Sequence, residues 1–170
     1  MNYSRIFTLI LILALAGCGY HPLGLEPYHP EKTPSLAIPL FANRSTEVGI
    51  EAVMANAMNA AFSQTKAVRL TNRRKDADLV LEGKVDYVEN SSVAFNSILQ
   101  STMRRVTIKV ELNLKRQHSG KIVWKDTQVV QEDYLTYANY QIGETLKDQG
   151  IRRAAVTLAQ KVLDKVLLVI

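Results

Sequence analysis

One cysteine, Cys18, stands in the 170 residues, so the chain can close no internal disulfide and build no metal site from several thiolates. Histidine is almost as scarce. His21, His29 and His118 show no H-x-x-x-H or related spacing, and zinc takes three or four ligands. Four of the five prolines crowd into residues 22–34, leaving only Pro39 for the remainder. A G-x-S-x-G elbow, a phosphate loop and a G-x-G-x-x-G turn are all missing. There are no internal repeats, and no low-complexity segment beyond the proline-rich stretch. Acidic pairs such as Asp76/Asp78 and Glu132/Asp133 sit among basic residues and read as solvated surface. No catalytic residues, no cofactor and no metal are therefore expected, and the chain is read as a non-enzyme.

The composition that remains is that of a folded protein. A hydrophobic share of 47% is ordinary for a globular chain, and the length suits one domain. The formal charge of +5 is a mild basic excess, compatible with anionic lipid, phosphorylated glycolipid or nucleic acid without selecting among them.

The first segment is more specific. Met1 to Arg5 carries one positive charge, and Ile6 to Ala16 is apolar except for Thr8. That run has the length of a signal-peptide core and is too short to span a bilayer comfortably. It ends Leu15-Ala16-Gly17-Cys18, which matches the lipobox of bacterial lipoproteins. The resemblance implies a signal peptide over 1–17, cleavage before Cys18 and lipidation of that cysteine, which also accounts for the lone thiol. Two or three acyl chains hold a protein on a membrane stably, where one alone is marginal. Gly19 follows instead of an aspartate, so the outer membrane, on its periplasmic side, is the expected location. Residues 18–34 read as the lipidated cysteine and a tether, because prolines 22, 27, 30 and 34 forbid a regular helix. Fully extended, the tether reaches roughly 50 Å at about 3.1 Å per residue.

Residues 35–170 read as a single α+β domain. Ser35 to Phe41 is an apolar run suited to a buried strand, with Pro39 marking an end or edge. Asn43 to Glu47 gives cap candidates and an early acid, a helix-start signal. Ile50, Val53, Met54, Ala57, Ala61 and Phe62 then recur at helical spacing. A short strand is expected near Ala67 to Thr71 and a loop over Asn72 to Lys75. A long strand follows over Asp78 to Val88, with Leu79, Leu81, Gly83, Val85 and Tyr87 on one side. Glu89 to Ser101 reads as a long hairpin loop. Arg104 to Arg116 is the clearest strand, with Val106, Ile108, Val110, Leu112 and Leu114 alternating with polar residues. Gln117 to Gly120 is a turn, and Lys121 to Tyr134 the returning strand. About Ile142 to Leu168 forms a final helix, striped by Leu146, Ile151, Ala155, Leu158, Val162 and Val166, with Gly150 costing roughly 1 kcal/mol. One sheet face is apolar and the other charged, so both helices belong on the apolar face. The expected architecture is a two-layer sandwich, with a mostly antiparallel sheet of four to five strands.

Two features offer binding chemistry. Arg104, Arg105, Lys109 and Lys115 fall on or beside the polar sheet face, with Lys121 and Lys125 on the next strand. Such a face can meet phosphates through charge-assisted hydrogen bonds, or be an ordinary solvated surface. Apolar residues are also in surplus at Val93, Phe95, Ile98 and Leu99 and at Leu167 to Ile170, either as partner contacts or tucked under the sandwich.

Taken together, these segments resemble the lipopolysaccharide-assembly lipoproteins (the LptE family). Cys18-Gly19-Tyr20-His21-Pro22-Leu23-Gly24 is similar to the start of their mature chains. The strand Leu36 to Phe41 followed by Asn43, the segment Ala77 to Gly83, the charged hairpin and the long C-terminal helix are similar too. The resemblance implies a plug inside a large outer-membrane β-barrel (LptD-like) that delivers lipopolysaccharide to the cell surface. Its partners would be that barrel, lipopolysaccharide and the membrane, with no nucleic acid. Some members carry a basic residue just before the early glycine, where this chain has Leu23. The same strand, asparagine and Ala-Asp-Leu-Val-Leu-x-Gly segment also resemble curli-secretion-type lipoproteins, which form oligomeric export pores. Against that stands the charged outward pattern of Arg105 to Lys115, which makes no lipid-facing hairpin. A lipid-anchored envelope hydrolase is a third reading, without a nucleophile–base pair to support it.

Overall fold

The computed structural model describes residues 33–95, 97–98, 100–137 and 139–170. The expected signal peptide, Cys18 and all but the last two residues of the tether lie outside that range, as does Leu99. Among these described residues six strands and two α-helices follow in the order β1 (Ser35–Ala37), β2 (Ala42–Asn43), α1 (Ile50–Ser63), β3 (Arg69–Leu70), β4 (Leu79–Phe95), β5 (Ser101–Arg116), β6 (Ile122–Leu135) and α2 (Tyr140–Leu167). A 3-10 turn covers Arg74–Asp76.

The sheet is mixed and open, not the mostly antiparallel sheet of four to five strands that the pattern predicts. Its order is β3-β1-β4-β5-β6, with β2 also on β4. β1 runs parallel to both β3 and β4, and β2 parallel to β4. The reason is chain geometry: α1 returns the chain to the end where β1 began, so β3 starts beside it in the same direction. β1 and β2 lie along one edge of β4, separated at Ile38 to Phe41, where Pro39 has no N–H to donate. β4, β5 and β6 form the long antiparallel part.

The β5 alternation holds in the structure. Val106, Ile108, Val110, Leu112 and Leu114 are fully buried, and burying each such side chain contributes roughly 1.5–3 kcal/mol. A one-residue slip would turn all five outward, so the register is firmly set. β4 departs from simple alternation. A bulge between Val85 and Tyr87 leaves Val85 opposite Val110, Tyr87 opposite Lys109 and Val88 opposite Ile108. The extra residue reverses the phase: Tyr87 turns outward and Val88 packs on the core. The segment expected as a hairpin loop from Glu89 is strand as far as Phe95, because β5 pairs with it back to Ser101.

Both helices cover the apolar face. α1 buries Ile50, Met54, Ala55, Met58, Ala61 and Phe62. It starts later than the Asn43–Glu47 signal suggests. Those residues close a separate turn, in which Ser45 N donates to Asn43 Oδ1 at 2.8 Å and Asn43 Nδ2 to the Glu47 carbonyl at 2.8 Å. Gly49, at φ 84°, takes the cap position in a left-handed conformation that glycine adopts freely. α2 is capped by Asn139, whose side chain accepts from Gln141 N and Ile142 N. It buries Ile151, Ala154, Ala155, Leu158, Ala159, Val162 and Val166. A β-carbon on Gly150 would meet the Tyr134 side chain no closer than 3.4 Å, an ordinary contact, so this packing does not require a glycine in mid-helix. On β6 the helix-facing positions include Asp126 and Glu132; Lys165 Nζ reaches Asp126 at 2.5 Å, and Thr157 Oγ1 reaches Glu132 at 3.3 Å.

Candidate functional site

The face of the sheet opposite the helices is the surface the six basic candidates were expected to share. Cross-strand register lays it out in rows across β4, β5 and β6: Glu82–Asn113–Lys125, Lys84–Glu111–Thr127, Tyr87–Lys109–Val129, Glu89–Thr107–Gln131, Ser91–Arg105–Asp133 and Ala94–Met103–Leu135.

Within these rows the charges are largely answered. Arg105 grips Asp133 through two bonds, Nε to Oδ1 at 2.6 Å and Nη2 to Oδ2 at 2.9 Å. That fork holds the Asp133 carboxyl below the usual aspartate range and the guanidinium above its own. Lys115 Nζ bonds Glu82 Oε2 at 2.6 Å, and Arg74 also reaches Glu82; the Lys115 bond is the main reason the Glu82 carboxyl is held low. Lys84 bridges Glu111 at 2.5 Å and Asp86 at 3.3 Å, and Lys109 lies 3.8 Å from Asp86. This is a lattice of alternating charge rather than a positive field.

Arg104 belongs elsewhere. It pairs with Tyr134 and Ser92 on the helix-facing side, one residue out of phase with Arg105. Its Nη2 donates to the Asn90 carbonyl at 3.4 Å, Tyr134 Oη donates to Asn90 Oδ1 at 3.3 Å, and Arg104 Nε is buried without a hydrogen bond. Burial raises the Tyr134 hydroxyl above its ordinary pKa. Lys121 and Lys125 are exposed, and among the described residues neither makes an ion pair. The structure thus brings Arg105, Lys109, Lys115 and Lys125 onto one face, leaves Lys121 in the turn beside it and separates Arg104.

A second feature is apolar. At the end of the sheet away from Thr33, Val93, Phe95, Ile98, Leu135, Tyr137, Tyr140 and Ile142 are all exposed. The sequence carries a signal for part of it, since residues 93–103 and 134–141 hold no charged side chain. Tyr87 joins the outer face only through the bulge. Leu168 is 85% exposed, with Val169 and Ile170 each at 42%, so residues 168–170 do not tuck under the sandwich.

A shallow groove between α1 and α2 is lined in part by Glu47, Asn56, Asp148 and Arg152. Among the described residues no group of three or more His, Cys, Asp or Glu side chains is placed to hold a metal. No helix among them is long and apolar enough to cross a membrane.

Comparison with known proteins identifies the scaffold. A rare lipoprotein B from Shewanella oneidensis superposes with a TM-score of 0.51 at 13% identity, covering 78% of this chain and 92% of that one. A Xanthomonas campestris protein gives a TM-score of 0.58 at 11% identity, covering 87% and 90%. A Chlamydia trachomatis protein gives 0.57 at 7% identity, covering 81% and 97%. At such identities these likenesses speak for the fold alone. No curated protein sequence matches the chain. The family model described as LptE, lipopolysaccharide-assembly, matches residues 33–166, which takes in every strand of the sheet and nearly all of α2. The chain belongs to the LptE family of lipopolysaccharide-assembly proteins.

Proposed function

We propose that this lipopolysaccharide-assembly protein is a lipid-anchored plug. It is held at Cys18 on the periplasmic side of the outer membrane and seated within the β-barrel that inserts lipopolysaccharide at the cell surface. Its work is to occupy, shape and bind; it runs no catalytic step. The observation that carries this reading is the uncovered sheet face. Among the described residues no helix covers the outer face of the three long strands, and that face changes from answered charges to the apolar row Ala94–Met103–Leu135 toward its far end. A surface graded in this way suits a wall that surrounds it better than open solvent.

Lipopolysaccharide phosphates would be met first by Lys121 and Lys125, whose ammonium groups need break no ion pair to do so. Arg105, Lys109 and Lys115 would have to exchange carboxylate partners for phosphate, at a cost in desolvation and lost pairing. Arg104, on the other face, is the least suited of the six.

The test is a tagged pull-down of the lipidated protein from detergent-solubilised outer membranes, with mass spectrometry of what is retained. A large β-barrel at one-to-one stoichiometry is the expected result. Recovery of the chain alone, or as a homo-oligomeric ring, overturns the plug and promotes an export-pore component instead.

A further inference from the structure

We infer that the free edge of β6, from Lys125 to Gln131, is a strand-pairing site. Its occupant is an extended segment of the β-barrel partner, added to the sheet beside β6. The inference rests on the seating proposed above and names one contact that holds it.

The sheet ends at β3 on one side and at β6 on the other. β3 has two residues and β6 fourteen, so only β6 offers an edge long enough to pair. Thr136 N donates to the Thr102 carbonyl at 3.1 Å, and the register runs without a shift from Met103–Leu135 to Leu114–Trp124. In an antiparallel ladder that bond sets the phase of the residues behind it. Even-numbered residues of β6 turn N–H and C=O toward β5, and odd-numbered residues turn theirs to the edge. The Asp133 carbonyl agrees, since it accepts from Nη2 of Arg153 on α2 at 2.9 Å.

Along that edge the backbone groups of Lys125, Val129 and Gln131 make no hydrogen bond among the described residues, and all three residues are exposed. The Thr127 N–H is taken by Asp126 Oδ1 at 2.8 Å. A long edge is ordinarily blunted by proline, a bulge or a charge. Residues 127–131, Thr-Gln-Val-Val-Gln, hold none of these. The blunting stands on either side: Lys165 of α2 engages Asp126, and Arg153 engages Glu132 and closes the Asp133 carbonyl. Between them lies an open window of backbone donors and acceptors, which an added strand recognises through its own backbone. In bulk water these groups are solvated; where a barrel wall displaces water they need protein partners.

Side chains at the window define the occupant. Val129, 49% exposed, stands on the outer face at its centre, so an apolar residue across from it adds a cross-strand contact. Lys125, without an ion pair among the described residues, fits a carboxylate across from it. A second copy suits the edge less well: β6 set antiparallel to itself about Val129 brings Asp126 opposite Glu132, a like-charge pair. A closed barrel has no unpaired strand in its wall, so the occupant is a segment that leaves the wall.

Hydrogen exchange resolved to single amides tests this, comparing the lipidated protein alone in detergent with its co-purified barrel complex. Alone, Val129 and Gln131 should exchange fast, while Gln128 and Val130, bonded to β5, are protected. In the complex, Val129 and Gln131 are expected to slow about tenfold, as one net hydrogen bond each dictates. Gln131→Pro removes an edge N–H and no bond to β5, a change an edge strand tolerates, and its ring projects into the space of the added strand. Val129 should then exchange in the complex as fast as in the protein alone, with circular dichroism confirming the fold; Val129→Pro, read at Gln131, is the second variant. A barrel complex in which both wild-type amides stay fast overturns the inference and leaves the plug standing. Slowing that survives both prolines marks burial without pairing and overturns it too. Slow edge amides in the protein alone, with the mass of a homo-oligomer, assign the edge to a second copy and overturn the named occupant. Failure of the barrel to co-purify strikes the plug, and the inference with it.

Discussion

The ring of Phe41 lies directly over the Cα of Gly83, in the space a β-carbon on residue 83 would occupy. Phe41 is 3% exposed and precedes β2, which pairs with β4 one residue further on at Lys84. Glycine in a strand interior is ordinarily unfavourable; here its bare backbone lets an aromatic ring close the gap left between β1 and β2. Gly83→Ala is expected to cost about 1–3 kcal/mol through overpacking. Thermal melts should fall accordingly, and Phe41→Leu in the same chain should restore part of the loss. A Gly83→Ala variant that melts at the wild-type temperature would show that the ring can move aside.

Ser35 and Asp78 form a closed clasp at the start of the domain. Asp78 Oδ2 accepts from Ser35 N at 2.8 Å and Ser35 Oγ at 2.7 Å, while Asp78 N donates to Ser35 Oγ at 2.9 Å. Those bonds, led by the one from the Ser35 backbone, hold the Asp78 carboxyl below its ordinary pKa. Asp78→Ala leaves the buried Ser35 N–H and hydroxyl without that acceptor, a loss of about 1–3 kcal/mol. Hydrogen exchange at Ser35 and Leu79 should accelerate in this variant before the rest of the sheet responds.

Arg104 makes one long hydrogen bond through Nη2 and leaves Nε buried with none. An unsatisfied polar group in such a place costs about 1–3 kcal/mol, so Arg104→Met should leave the melting temperature unchanged or raise it. The same variant should retain lipopolysaccharide binding, because its side chain lies on the helix-facing side. Destabilisation on removing the guanidinium would mean that it holds Asn90 and Tyr134 in place more firmly than its contacts suggest.

Charge reversal on the outer face separates free from engaged cations. Lys121→Glu with Lys125→Glu is expected to lower lipopolysaccharide crosslinking severalfold at unchanged stability, as two phosphate contacts of roughly 1 kcal/mol each would dictate. Arg105→Gln or Lys109→Gln should change crosslinking by less than about twofold on the same scale. The opposite ranking would assign binding to residues that release Asp133 and Asp86 when the ligand arrives.

What the sequence made legible was whatever repeats with a period. The β5 alternation, the stripes of α1 and α2 and the turn before Gly120 all lie where the pattern places them, because each is set by local spacing. The parallel pairing of β1, β2 and β3 was not legible: two- and three-residue strands carry no period, and their partners are set by where α1 returns the chain. The bulge at Asp86 was hidden for a related reason. Tyr87 fits an apolar alternation on paper, and only pairing with Lys109 shows that an extra residue has turned it outward. The basic candidates were located to a face within one residue. Their charges could not be netted out, because Asp133 answers Arg105 from a strand 28 residues away. Arg104 illustrates the limit, since one step along a strand moves a side chain to the other side of the sheet.

Acid should unfold the domain through a small set of carboxylates that bridge its elements. Asp126 ties β6 to Lys165 of α2, and that bond is the main cause that holds its carboxyl below the reference value of 3.8. Glu82, bonded to Lys115, is likewise held below 4.5. A carboxyl whose pKa is lower folded than unfolded contributes stability that is fully present above the unfolded value. That contribution drains away as the pH falls through 4.5 and 3.8 toward the folded values. Melting temperature should therefore be flat near neutrality and decline between about pH 5 and pH 3. Asp126→Asn should melt lower at neutral pH, by roughly 2–4 °C for each kcal/mol lost, and its decline in acid should be shallower because the linkage at that residue is gone. Lys165→Met provides the complementary check: it leaves Asp126 ionisable but unpaired, so its carboxyl should return toward 3.8 and the acid limb should flatten in the same way. Equal slopes in wild type and both variants would assign acid sensitivity to Asp78 and Glu82 instead, and detach α2 from the pH response of the sheet.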